Sequence, residues 1–288
     1  MRKNRIVYNM INISVVTTAV FLFQRAYGSV WEIFDEYMFE TLLVMAVTVI
    51  IVHSVKAGRL YLSLYGSDMD FHTHLKIYCK VIPVSVIFPL KLGEFFRMYC
   101  YGRQLENVLK GTVIILLDRV MDTTALVTML LLVRMFSGGH MTLLAYILII
   151  FLAMMLIAYC VFPGIYRFWK KHILRAPATE KGLAALKMLE MLSAVYLEIE
   201  GVVRGKGIIL YFMSLVAWGV EIGSVILLNE IPGGGGLDGV ITGYLMSALG
   251  GGQSVELARF VFASIVLLMV TYIMMKFNEG YRKRRKSS

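Results

Sequence analysis

Six ionisable side chains stand where chemistry inside an apolar environment would need them. Lys91, Glu94 and Arg97 follow a proline-broken apolar stretch, and Asp118, Arg119 and Asp122 sit inside a run that is otherwise hydrophobic over residues 113–133. A charge at the centre of a membrane-crossing helix costs about 2.5–3.5 kcal/mol on insertion scales, so each of these groups must meet a partner or a wet cavity. Two uses fit. Glu94 with Arg97, three residues apart, and Asp118 or Asp122 with Arg119, can neutralise one another as structural pairs. Lys91, Arg97 and Arg119 can equally receive a phosphate, a guanidinium offering a two-pronged fork. Glu94, Asp118 and Asp122 would then orient those cations, take up a proton or meet an amine. The second half is sparser: Glu221 within an apolar run, Asp238 after a glycine run, and Glu256 with Arg259 opening the last hydrophobic segment.

Other chemistries find less support. Cys79, Cys100 and Cys160 are odd in number and lack metal-ligand spacing, so they read as small apolar residues. No metal site and no cofactor is expected. Residues 233–236 are four glycines, but no Gly-Lys-Ser/Thr follows and no strand precedes, which excludes a nucleotide loop and favours a tight backbone turn. His53 reads as a packed or interfacial histidine. No catalytic residue is singled out, and no enzymatic activity is expected.

The elements that must position these groups are membrane helices. The 288 residues are 58% hydrophobic, above the roughly 45–50% of ordinary soluble domains. The apolar residues gather in runs near the ~20 needed to cross a hydrocarbon core: 6–23, 41–55, 113–133, 143–162, 207–228 and 260–277. None alternates with period two, so helices rather than a barrel are implied. The net charge of +10 lies in short clusters between these runs, which orientation in a bilayer explains without nucleic acid. The N-terminus resembles a cleaved signal sequence, with Ala26-Tyr27-Gly28 after its apolar run, but that run is long and reads as a retained helix.

Lysine and arginine in short loops mark the cytoplasmic side. Arg2, Lys3 and Arg5 place the N-terminus inside a plasma membrane, and the basic tail 276–286 places the C-terminus there too. Glu32, Asp35, Glu36 and Glu40 mark an outer loop, in which Ser29 and Glu32 have capping-box spacing. Run 41–55 returns inward to Lys56 and Arg59. Stretch 81–90, broken by Pro83 and Pro89, is too short to span a ~30 Å core as a helix, and has basic residues on both sides. It is expected to enter and leave from the cytoplasm. By parity stretch 240–249 dips in from outside. The expected fold is therefore an all-α polytopic membrane protein, one integral domain over 1–288. About six transmembrane helices and two re-entrant segments form an inverted repeat with halves 1–140 and 141–288, a plan common in secondary transporters. A basic cytoplasmic loop, 163–206, contains a stretch with helical spacing that reads as a packed connector helix.

At Pro89, Gly93-Glu94 and Arg97, then Asp118-Arg119 and Asp122, and late at Pro232-Gly233-Gly234, the sequence resembles the lysylphosphatidylglycerol synthase transmembrane, or flippase-like, family. Lys91 stands where that family usually has Arg, Asp118 where it has Glu, and Asp238 is the nearest candidate for its late Glu. The resemblance implies a translocator of a phospholipid or polyprenyl-phosphate-linked headgroup in cell-envelope biogenesis, with an anionic lipid and the bilayer as partners. Lysyltransferase activity is not expected, because no segment up to Ser288 could hold the soluble aminoacyltransferase domain. Two further readings remain: an accessory or scaffold for a membrane glycosyltransferase in cell-surface polysaccharide assembly, docked through 163–206, or an ion-coupled transporter of a small solute.

Overall fold

The computed structural model describes residues 17–18, 21, 39–87, 92–137, 143–175, 179–228, 237–249 and 255–287. Those residues form nine helices and no strand: α1 Phe39–Ser63, α2 Phe71–Ile87, α3 Leu92–Gln104, α4 Val108–Ser137, α5 Leu143–Arg175, α6 Glu180–Val203, α7 Gly207–Leu228, α8 Leu237–Leu249 and α9 Val255–Ser287. Apart from Thr17, Thr18 and Phe21, the expected first crossing lies outside the described residues. So do the outer loop with its Ser29 and Glu32, Pro89, Lys91, Pro232 and the glycines at 233–236 and 250–252.

Four helices are long and apolar enough to cross a bilayer, over Leu43–Ser63, Leu143–Arg175, Gly207–Leu228 and Leu257–Asn278. The chain is thus a polytopic membrane protein, all-helical among its described residues. At 30 residues α4 is about 45 Å long and exceeds any hydrocarbon core. Its central Asp118, Arg119 and Asp122 keep it from being equally apolar. The 17 residues of α2 and 13 of α8 reach only about 26 and 20 Å, short of a span.

Two expected boundaries are corrected. The run 41–55 does not stop before Lys56: α1 continues to Ser63, because Ala57, Leu60 and Leu64 prolong its apolar stripe into the core. Arg59 is only 3% exposed, so it is no free cytoplasmic charge. Nor does the run 143–162 stop at Phe162: α5 continues through Pro163 to Arg175, and most of the rest of 163–206 is α6, the connector helix expected there, which packs on α4, α5 and α7. Thr179 caps α6 by accepting from Gly182 N at 3.1 Å.

The helices pack so that the two halves share one core. α1 lies against α7, α4 against α7, and α9 against α1. The short helices cross over: α2 packs on α9, and α8 packs on α4. Exchanging α1 with α7, α2 with α8 and α4 with α9 maps these contacts onto one another. One apolar cluster joins Leu60, Tyr78, Val81, Tyr101, Ile114, Ile115 and Leu210; a second joins Ala125, Leu130, Trp218, Tyr244 and Leu245. On α4 the charged residues Asp118, Arg119 and Asp122 lie between Leu117 of the first cluster and Ala125 of the second.

The first cluster carries one buried histidine. His74 Nε2 lies 3.0 Å from the Ala57 carbonyl, which can only accept, so that nitrogen bears the proton. Nδ1 then accepts from the Tyr101 hydroxyl at 3.2 Å, tying α1, α2 and α3 together.

Backbone contacts fix where α3 stands. A Cβ on Gly93 would fall 2.3 Å from Ser85 Cα of α2, and one on Gly111 would fall 2.4 Å from Gly102 N. Both approaches are backbone on backbone, so no side chain can yield. Gly93→Ala and Gly111→Ala should each destabilise the protein by about 1–3 kcal/mol, the usual range for overpacking. Gly164→Ala in α5, where an added Cβ meets nothing within 4 Å, should be neutral or slightly stabilising. Thermal unfolding of the purified protein in detergent checks all three, and equal melting temperatures would refute the tight approach.

Candidate functional site

Helix periodicity brings the polar groups to common faces. On α4, Asp118 and Asp122 are one turn apart and point the same way, whereas the intervening Arg119 is rotated off that face. On α1, Lys56 and Arg59 are three residues apart, and on α7 Ser214, Trp218 and Glu221 recur at four and three. Glu94 and Arg97 repeat the spacing on α3. Packing α1, α3, α4 and α7 together turns these stripes into one layer between the two apolar clusters.

Arg59 stands at its centre. Its Nε donates to Asp118 Oδ1 at 2.9 Å, Nη2 lies 2.7 Å from the same oxygen, and Nη1 donates to Asp122 Oδ1 at 2.9 Å. Nη1 also donates to Ser214 Oγ at 2.5 Å, and that hydroxyl in turn donates to the Leu210 carbonyl at 3.0 Å. Arg97 Nη2 donates to the other Asp118 oxygen, Oδ2, at 2.7 Å. One carboxylate therefore holds two guanidiniums, with all three side chains at or below 5% exposure. Glu94 lies 3.5 Å from Arg97 and accepts from Arg119 Nη2. Across the layer, Lys56 Nζ donates to Glu221 Oε1 at 2.5 Å, and the Tyr244 hydroxyl donates to Glu221 Oε2 at 3.0 Å. The Lys56 ammonium also sits over the Trp218 ring, 5.1 Å from its centre. Among the described residues, four cations face four carboxylates in this network.

A cavity of about 280 Å³ opens beside the layer. Its polar wall includes Lys56, Arg59, Arg97, Arg119 and Asp122; Ile82, Pro83 and Val86 of α2, Ala248 of α8, and Phe260 and Ile265 of α9 form its apolar wall. The two short helices thus meet on the same space. His53 lines it too, bonded through Nδ1 to the Tyr78 hydroxyl at 3.0 Å and stacked on Phe260. Four lining side chains carry a buried polar atom with no hydrogen-bond partner within the protein: His53 Nε2, Arg97 Nε, Arg119 Nε and Ser264 Oγ. Buried polar groups are rarely left so, which makes the cavity a place for a ligand with acceptor oxygens.

Of the residues singled out from sequence, Glu94, Arg97, Asp118, Arg119 and Asp122 converge, and Glu221 joins them from the second half. Arg259 is on α9 but is not part of the cavity wall. Lys91 and the side chains of Asp238 and Glu256 lie outside the described residues. The Glu94–Arg97 pair forms as expected. Asp118 and Asp122 bond instead to Arg59 and Arg97, because the shared face of α4 turns toward α1 and α3 while Arg119 turns toward Glu94. Sequence reasoning missed Arg59, Lys56, Ser214, Trp218, Tyr244 and Ser264. The available signal for Arg59 was the apolar stripe running past Val55 through Leu60 and Leu64, which puts Arg59 inside a helix. The described residues contain no group of three or more His, Cys, Asp or Glu side chains placed to hold a metal ion.

Removing Arg59 leaves Asp122 without its ion-pair partner and Asp118 with one of its two in a buried layer. Arg59→Met should therefore lower stability by about 3–5 kcal/mol, as for other broken buried pairs. Arg119→Met, at a side chain 43% exposed, should stay within about 1 kcal/mol. Detergent melting curves of the two variants should differ widely, and similar losses would contradict the placement of Arg59 at the centre.

Comparison with known proteins adds a family and no individual relative: the chain matches no curated protein and no solved structure. Residues 9–233 match the family described as the lysylphosphatidylglycerol synthase TM region, a stretch that contains the charged layer from Lys56 to Glu221 but not α8 or α9. The chain, with its buried arginine–carboxylate layer, belongs to the lysylphosphatidylglycerol synthase transmembrane-region family.

Proposed function

We propose that this protein moves a phosphate-bearing lipid headgroup, of a phospholipid or a polyprenyl-phosphate-linked lipid, between the leaflets of the plasma membrane in cell-envelope biogenesis. The observation that carries the reading is the cavity wall, where Arg97 Nε and Arg119 Nε are buried donors without acceptors, beside an apolar surface from α2, α8 and α9. A headgroup phosphate supplies the acceptors, a guanidinium fork fits two of its oxygens, and the acyl or prenyl tails stay in hydrocarbon. Membership of a membrane family named for a lipid synthase agrees with a lipid substrate.

The fold supports the same reading. We take α2 and α8 as the two re-entrant segments, entering from opposite sides, with α1, α4, α5, α7, α9 and the segment 6–23 as crossings and both termini cytoplasmic. The exchange of contacts between α1, α2 and α4 and α7, α8 and α9 is what an inverted repeat requires. In such carriers the substrate sits where the broken segments meet near the midplane, and here both short helices contribute to the cavity.

The test is leaflet exchange of acyl-labelled phosphatidylglycerol and a labelled polyprenyl phosphate in proteoliposomes, read by quenching of the outer-leaflet label. Exchange well above that of empty vesicles is expected for at least one of them, and rates equal to empty vesicles for both would sink the proposal. Arg97→Ala should slow exchange about tenfold or more, the worth of one charge-assisted contact. Arg97→Lys should recover only part of it, since an ammonium keeps charge but loses the fork.

A further inference from the structure

The pair between Lys56 and Glu221 ties α1 to α7 and, through Tyr244, to α8. Leaflet exchange alone gives it no task. Glu221 is 2% exposed within an apolar crossing helix. From α1 it faces Lys56; from α8 it faces the Tyr244 hydroxyl; from α4 the charge of Asp122 acts on it across the layer. Helix α6 meets α7 around Val202 and Leu210, about three turns away. His53 lies one turn before Lys56 on α1 and is bonded to Tyr78.

Both Lys56 and Glu221 line the cavity. A phosphate oxygen arriving there competes with Glu221 for the Lys56 ammonium. Once that ammonium turns to the phosphate, Glu221 holds an unpaired negative charge in a buried site, with the charge of Asp122 opposing it. A carboxylate in that position is neutralised by a proton far more readily than it is kept charged. The total charge leads to the same place. Among the described residues the network is balanced, so a single anion entering it alone leaves a net negative charge in low dielectric, and one proton restores neutrality.

We propose that the headgroup and one proton occupy the site together, with the proton on Glu221, so that the protein is a proton–lipid symporter; this rests on the translocation reading. As the Lys56–Glu221 contact opens, a proton from water on the entry side adds to the Glu221 carboxylate. Lys56 keeps its own proton and pairs with a phosphate oxygen. When the phosphate leaves on the other side, Lys56 returns to Glu221 and the carboxyl releases its proton there. The Tyr244 hydroxyl donates to Oε2 in both states. Each cycle moves one monoanionic lipid and one proton, and no net charge.

The experiment uses the full chain in phosphatidylcholine vesicles holding a small fraction of acyl-labelled phosphatidylglycerol, with a pH difference imposed across the membrane. One proton per lipid makes the two gradients balance, so about one pH unit should accumulate the label about tenfold in the leaflet facing the alkaline side. An imposed membrane potential should leave the distribution unchanged, because the carried pair is neutral. In Glu221→Gln, whatever exchange persists should ignore the pH difference, and Tyr244→Phe should weaken the response. Wild-type exchange that equilibrates the label regardless of the pH difference overturns proton coupling and leaves translocation standing. Absence of any exchange overturns both for this lipid. Accumulation that survives Glu221→Gln but is lost in His53→Gln overturns the assignment of the proton to Glu221.

Discussion

The carboxylate of Asp118 accepts from two guanidiniums at once, and the rest of the bundle is arranged to make that possible. Neither Arg59 nor Arg97 can be buried without it, and an arginine does not shed its charge in a protein. Asp118 in turn cannot sit inside α4 without them. Because the three residues come from α1, α3 and α4, their opposite charges meet only when these helices are packed. The shared ion thus acts as a condition on tertiary structure, removing arrangements in which any of the three helices faces lipid on that side.

The surroundings follow from that condition. Below the charged layer α4 offers Ile114 and Ile115 to one apolar cluster, and above it Ala125 and Leu130 to another. The layer is where packing by side-chain volume gives way to packing by charge. Gly93 and Gly111 let backbone approach backbone, which sets the distance between α2, α3 and α4 and with it the reach of Arg97 to Asp118. A mere structural brace would leave few donors unmet. Within the charged layer, Arg97 Nε and Arg119 Nε keep no acceptor and both residues line the cavity, so ions that hold the helices also present an unfilled hydrogen-bonding surface to it.

Tension between holding and releasing distinguishes the two ends of the layer. Arg59 has all three guanidinium nitrogens engaged and is bonded to both α4 and α7. Arg119 is far more exposed, and Lys56 has a single carboxylate partner beside an aromatic face. Under the proposed translocation, exchange of partners with an incoming phosphate would be easier at the rim than at the centre, and the bundle would stay intact while the rim rearranged.

Membrane class, the main hydrophobic runs and the charged residues of α3 and α4 were legible in the sequence, because hydropathy and the high cost of isolated charge in hydrocarbon are local properties that a chain carries in order. Glu94, Arg97, Asp118, Arg119, Asp122 and Glu221 could be singled out for that reason alone. Their partners could not. Arg59 lies 59 residues before Asp118, and Lys56 lies 165 residues before Glu221; both looked like the positive end of a finished crossing. The sequence determined that buried charges must be matched. Which charge matches which was decided by how α1, α3, α4 and α7 turn their faces on packing, since an ion pair depends on distance in space and the helices alone set that distance.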